Sequence, residues 1–232
     1  MRTALPSQSP RLRSARAATG SVVLALCVVA CGARSPFMIR PGPVVPSQDR
    51  GLTAAALRKV AVVPFYPVAA STAPGSSGSG ASWADAAQIA NFVSDALAAQ
   101  GVAVVVPHDV EIAFTAHGTP VPRLDPESTA VRCARDFAAT AVVLGRVLRF
   151  REREGSAAGS TRPASVSFEV TVYEAPTARR LWTGRFDETQ QAITEAILRA
   201  RQYPGGGTRW LSAAEFARWG ADEVAKSITT AR

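Results

Sequence analysis

Histidine, cysteine and lysine are scarce in this chain. Of 232 residues two are His and three are Cys, and Lys59 and Lys226 are the only lysines among 26 basic residues. A zinc site needs three or four ligands, and His108 and His117 stand alone in sequence with few other soft donors nearby, so no metal is expected. No Gly-x-Ser-x-Gly elbow is present, and no glycine-rich loop ends in Gly-Lys-Ser/Thr, so the nucleophile turn of a hydrolase and a phosphate cradle both lack their residues. No cofactor is implied. No apolar run reaches the roughly 20 residues that cross a bilayer as a helix. Aromatics make up 7% and do not interleave with a basic stripe, which argues against nucleic acid. The net charge of +8 is half supplied by Arg2, Arg11, Arg13 and Arg16.

Those four arginines open a leader with no acid before Cys31. Residues 20–30 are apolar and, at about 11 residues, too short to span a membrane. The run closes on Val28-Val29-Ala30-Cys31. This resembles the lipobox of bacterial lipoproteins, in which Leu or Val stands three places before a cysteine and a small residue precedes it. The resemblance implies cleavage between Ala30 and Cys31, and acyl chains such as palmitate on Cys31. Several buried chains hold a protein to a membrane far better than one. Gly32 follows the cysteine; the absence of Asp there implies transfer to the outer membrane, facing the periplasm. Once Cys27 leaves and Cys31 is acylated, Cys133 has no partner for a disulfide, and its helical setting predicts a buried structural thiol.

The chain then divides into residues 1–30 as signal, 31–56 as lipidated cysteine and flexible tether, and 57–232 as one domain. The tether is rich in Pro, Gly, Ser and Ala, a composition that cannot bury enough surface to fold alone. Lys59–Phe65 reads as a strand buried on both faces. A Ser/Gly-rich loop fills 71–81. Ser82 caps a helix whose apolar face is Ile89, Phe92, Val93, Ala96 and Leu97, with Gly101 past its end. Val102–Val106 is a second strand and 109–116 a short helix. Pro120, Pro122 and Pro126 mark a loop. Residues 127–139 form a helix with Val131, Ala134, Phe137 and Ala138 inward. Three strands follow, Ala141–Phe150, Ser165–Glu174 and Arg179–Glu188. In the second of these Val166, Phe168, Val170 and Val172 alternate with polar residues. Residues 189–201 read as helical. Ser212-Ala213-Ala214-Glu215 is a capping box that opens the last helix, with Phe216, Gly220, Val224 and Ile228 on its apolar face. The order β-α-β-α-β-β-β-α predicts an α/β domain with a mixed sheet, parallel at its start and an antiparallel meander after, flanked by helices.

Val-Ala-Val-Val-Pro-Phe at 60–65, Gly-Val-Ala-Val-Val at 101–105, Ala-Thr-Ala-Val-Val-Leu-Gly-Arg-Val at 139–147 and the hairpin 172–182 resemble, in order and spacing, a family of bacterial envelope proteins. It includes the curli secretion lipoprotein CsgG, the penicillin-binding-protein activator LpoB and the amino-terminal domain of TolB. The resemblance implies a non-enzymatic accessory or scaffold factor that works through protein contacts in secretion, cell-wall or surface assembly. Self-association in an oligomeric ring is an alternative. The 151–163 loop is too short and charged to make a membrane-inserting hairpin.

Candidate chemistry is thin. His108 with Asp109 or Glu111, just past a strand end, is the one acid/base arrangement on which a periplasmic hydrolase could rest. Arg146, Arg149, Arg151 and Arg153 alternate with other residues along a strand, offset by Glu152 and Glu154. Trp182 is expected inside the sheet. Trp210, after a glycine run and before the Ser212 cap, either staples the last helix down or, with Arg209, forms a partner surface, since aromatics near arginine make frequent interface anchors.

Overall fold

A computed structural model describes residues 42–48, 51–68, 80–118, 125–192 and 202–231. Among the described residues nine strands form, β1 (Val44–Gln48), β2 (Lys59–Val62), β3 (Tyr66–Pro67), β4 (Ala103–Val105), β5 (Ala141–Arg151), β6 (Glu154–Gly155), β7 (Ser160–Arg162), β8 (Ser165–Glu174) and β9 (Arg180–Thr189). The α-helices among the described residues are α1 (Trp83–Ala99), α2 (Pro107–Thr115), α3 (Pro126–Phe137) and α4 (Ala213–Thr230). The main sheet runs β1-β9-β8-β5-β2-β4, with β3 beside β5. β2 is parallel to both β4 and β5, whereas β5, β8, β9 and β1 pair antiparallel. This is the mixed sheet the sequence implies: βα crossovers build its parallel part, and the β8–β9 turn with the longer β5–β8 connection builds its meander. β6 and β7 form a separate small hairpin.

Helices α1 and α4 seal one face. Both start at capping boxes, Ser82 with Asp85 and Ser212 with Glu215, and both bury the predicted apolar stripes. Under α4 the aromatics interlock. Phe186 stacks on Phe168 at 5.3 Å between centroids and meets Phe216 at 5.9 Å and Trp219 at 5.5 Å edge-on. Tyr203 closes the cluster against Phe216 and Trp219. Glycines allow the close approach. A Cβ on Gly220 would meet the Phe186 ring at 2.8 Å, and Cβ atoms on Gly145 and Gly184 would collide with Phe65 and Trp182. Trp182 is wholly buried, as expected.

Helices α2 and α3 cover part of the opposite face. Val110, Phe114, Ala130 and Cys133 pack there against Ala61, Val63, Val105 and Val142. Burial, with Asp136 nearby, pushes the Cys133 thiol up to about 12, so it is a small hydrophobe and not a nucleophile.

Several expectations need correction. The tether was expected to run to residue 56, but Val44–Gln48 pairs with β9, and Leu52 and Leu57 are buried. Pro-rich composition does not prevent an edge strand, where a missing N–H can face solvent. On α3 the buried residues are Thr129, Ala130 and Cys133, whereas Val131 is 49% exposed. Ala138 is exposed as the left-handed C-cap. The inward stripe is shifted by one residue because Cys133 takes its centre. The 151–163 loop contains β6 and β7. The loop expected at 71–81 lies almost wholly outside the described residues, and so does most of the expected helix 189–201, of which Thr189 ends β9.

Candidate functional site

The site is built by period-two alternation on β5, β8 and β9. Residues that do not face α1 and α4 point to the second face, where α2 and α3 cover the β2–β4 side and α3 extends onto β5 and the last residues of β8. Among the described residues the rest is uncovered. It carries an ion-paired ladder. The Arg146 Nε donates to Glu169 Oε2 at 2.6 Å. Arg185 lies 3.7 Å from the other Glu169 oxygen and 2.6 Å from Asp187 Oδ2. Arg149 reaches Asp187 Oδ1 at 2.5 Å and, through Nε, Ser165 Oγ at 2.6 Å. Ser165 and Ser167 are buried beneath these side chains.

A bulge brings the arginines together. Regular alternation from Arg146 would turn Arg149 and Arg151 to the sealed face. The register instead slips between Val147 and Arg149, so that Arg149 pairs with Ser167 and Arg151 with Ser165. Leu148 is the extra residue, and both arginines rejoin the face of Arg146. Alternation counted along the sequence could not show this; the signal lay in the partner strand, whose polar positions had to be matched.

Where α3 begins, its N-terminus and the open face border a groove of about 610 Å³. Tyr66, Tyr173, Arg146, Arg180, Thr171 and Thr183 supply its polar lining, with Asp125 at the rim. The Ser128 hydroxyl and N–H, with the Glu127 N–H, hold Asp125 below the usual carboxylate range. Burial raises Tyr173 above the ordinary phenol value. Both Glu169 oxygens already face guanidiniums, those of Arg146 and Arg185. The groove offers hydroxyls, guanidiniums and ring faces, a chemistry of recognition.

Of the residues singled out from sequence, Arg146, Arg149 and Arg151 lie on this face, and Arg146 lines the groove; the histidines and the Arg209–Trp210 pair lie elsewhere. His108, Asp109 and Glu111 are exposed on α2 and do not line the groove. His117 places Nδ1 2.7 Å from the Ala113 carbonyl. Among the described residues no group of three or more His, Cys, Asp or Glu could hold a metal ion. Arg209 is paired with Glu215 at 2.7 Å, inside the α4 cap. The Trp210 backbone is pinned by Ala157 O at 2.9 Å and by Arg153 Nη1 at 3.0 Å. Gln190, buried, bonds the Arg209 carbonyl and the Leu211 N–H. This segment therefore latches α4 to the sheet. Sequence reasoning missed Tyr66, Tyr173 and Thr171, whose signal was the polar register of β8 next to a short strand.

No family model matches the chain, and no curated protein matches it in sequence. Solved structures resemble it. The PelC dodecamer from Paraburkholderia phytofirmans aligns with a TM-score of 0.46 at 15% identity, over 80% of this chain and 96% of that one. The LpoB C-terminal domain from Salmonella enterica aligns at 0.39 and 16%, over 61% of this chain and 88% of that one. A lipoprotein from Neisseria meningitidis aligns at 0.39 and 18%, over 57% and 82%. LpoB belongs to the family that the sequence resembles. At these identities the likeness is one of fold, not of activity.

Proposed function

We propose that this chain is a lipid-anchored, non-enzymatic accessory or scaffold protein of the cell envelope. Acylated at Cys31 and held to the outer membrane, it acts in secretion, cell-wall or surface assembly by binding another envelope protein. The observation that carries the reading is the uncovered half of the sheet, a polar face with a groove at its border on a domain whose other face is sealed. The Val28–Cys31 lipobox supports the anchor, and no described helix is long and apolar enough to cross a membrane. The tether in this reading is the stretch from Cys31 to the start of β1.

The test is in-cell photo-cross-linking with benzoylphenylalanine at Tyr66 in the groove, and separately at Trp210. One heterologous envelope protein captured at Tyr66 but not at Trp210 supports the reading, and its absence in Cys31→Ser would tie the contact to the anchor. Capture at Trp210 alone would move the surface to the α4 latch. A second reading, a subunit of an oligomeric ring, is favoured by the short edges β1 and β4. Val45 on β1 is 67% exposed, and Val106, just past β4, is 41% exposed. Self-cross-links, and a mass that rises with concentration in light scattering, would select it.

A further inference from the structure

The uncovered face has two ends, and they differ. The groove occupies the middle of the face and the end at which β8 turns into β9. The other end is where β5 and β9 finish and β8 begins. Its rows are Arg149–Ser167–Asp187 and Arg151–Ser165–Thr189. β7 brings Arg162 to the same corner. Arg149 pairs there with Asp187, which Arg185 shares, and Arg162 with Glu154. Arg151 has no carboxylate partner among the described residues. Its Nη2 reaches the Pro163 carbonyl at 3.4 Å, and its buried Nε has no acceptor. Burial, then Arg162 and Arg149, lower its proton affinity, and Glu154 offsets them only in part.

The chain enters the domain at this same end. β1 begins at Val44, which pairs with Phe186, one row from Asp187. Twelve residues separate Cys31 from Val44, a reach of at most about 45 Å when fully extended. A lipid on Cys31 would therefore keep this end of the domain within about 45 Å of the bilayer.

We infer that the corner formed by Arg149, Arg151 and Arg162 docks on anionic phospholipid headgroups, whose phosphates complete the ionic partners of Arg151, and that this contact turns the groove away from the membrane. The inference rests on the lipid-anchor reading above. Tethering keeps the headgroups at high effective concentration, so weak contacts suffice.

The test uses the acylated full-length mature protein, purified in detergent and reconstituted on vesicles of 70:30 phosphatidylethanolamine and phosphatidylglycerol or of phosphatidylcholine alone. With Cys31 acylated and Cys133 buried, one dye is placed at Ala158→Cys in the β6–β7 hairpin, or at Pro176→Cys in the β8–β9 turn. Energy transfer to a headgroup-labelled lipid is measured. Transfer from position 158 should be at least twice that from 176 on the anionic vesicles. It should fall toward the 176 value on phosphatidylcholine, in 0.5 M NaCl, and in Arg151→Gln or Arg149→Gln. The lipid and salt arms need no variant to fold. Equal transfer from both ends, or transfer indifferent to lipid charge and salt, overturns the inference. Flotation in 1 M NaCl reads the anchor separately. A chain that floats at high salt without the end-to-end difference keeps its anchor and loses the headgroup contact. One that floats only on anionic vesicles at low salt keeps the contact and loses the anchor, and one that never floats loses both.

Discussion

The two faces of the central sheet are made by the same strands and differ in almost everything else. On β8, Val166, Phe168, Val170 and Val172 lie in the sealed core, while Ser165, Ser167, Glu169 and Thr171 lie on the other side. The sealed face is aromatic, glycine-relieved and closed by two helices. The open face is held by guanidinium–carboxylate pairs that water can replace. Apolar burial stabilises by about 25 cal/mol per Å², whereas exposed ion pairs contribute at most about 1 kcal/mol. The comparison teaches that stability and recognition are divided by side-chain parity. Variants on the sealed face should act on folding and those on the open face on binding.

The largest effect should come from Phe186→Ala. This ring touches Phe168, Phe216, Trp219 and the backbone at Gly220. Truncating a buried Phe costs about 3–5 kcal/mol, a large share of the 5–15 kcal/mol that domains possess. Urea unfolding followed by circular dichroism should show a much lower midpoint with an unchanged slope. A midpoint close to the parent's would break the claim that this face carries the stability.

Next is Gly184→Ala. The added methyl collides with the Trp182 ring, which is wholly buried and cannot swing into solvent. Overpacking of this kind costs about 1–3 kcal/mol, and the same urea titration should place this variant between the parent and Phe186→Ala. Crossing to the open face, Glu169→Gln removes the charge shared by Arg146 and Arg185. Stability should change by less than about 1 kcal/mol, yet capture of the partner from Tyr66 should fall severalfold. A variant that unfolds readily but still captures its partner would reverse the division.

Much of the sealed face was legible in the sequence. Ser82 and Ser212 with their acidic partners three residues on, the stripes of α1 and α4, and the alternation of β8 are local patterns with local causes. The mixed sheet followed from their order. The open face was legible only in part, because its arrangement is set between strands. Nothing within Arg146–Arg151 marks Leu148 as the bulged residue; that choice belongs to the pairing with Ser165 and Ser167. Likewise β1 is a strand because β9 presents an edge to it, and its own Pro-Val-Val-Pro-Ser composition reads as linker. For the Arg209–Trp210 pair the sequence left a helix staple and a partner anchor both open, because spacing does not show that Glu215 of the α4 cap takes the guanidinium, with Gln190 and Ala157 fastening the backbone around it.

The smallest effect sharpens the comparison at that cap, where a charged group serves the sealed layer. Glu215 accepts from both Arg209 nitrogens, at 3.0 and 2.7 Å, and from the Ser212 N–H at 2.9 Å. The Arg209 bonds first, and the Ser212 N–H second, lower its carboxyl to about 2 from an ordinary 4.5. A carboxyl lowered on folding stabilises the native state above its unfolded value, and that contribution is lost as pH falls through the folded one. The cap should thus hold fully above about pH 4.5 and fade between there and about pH 2. The carboxylate is 41% exposed, so salt screens it, and Glu215→Gln should lower the Tm near pH 6 by no more than about 2 °C. Scanning parent and variant side by side cancels every other carboxylate. The difference in Tm should be mostly lost by about pH 2 and vanish below it, where both side chains are neutral and the amide oxygen can still accept the Ser212 N–H. A difference that does not shrink between about pH 4.5 and about pH 2 would mean that the geometry of the Glu215 side chain, and not its charge, holds α4 against the sheet.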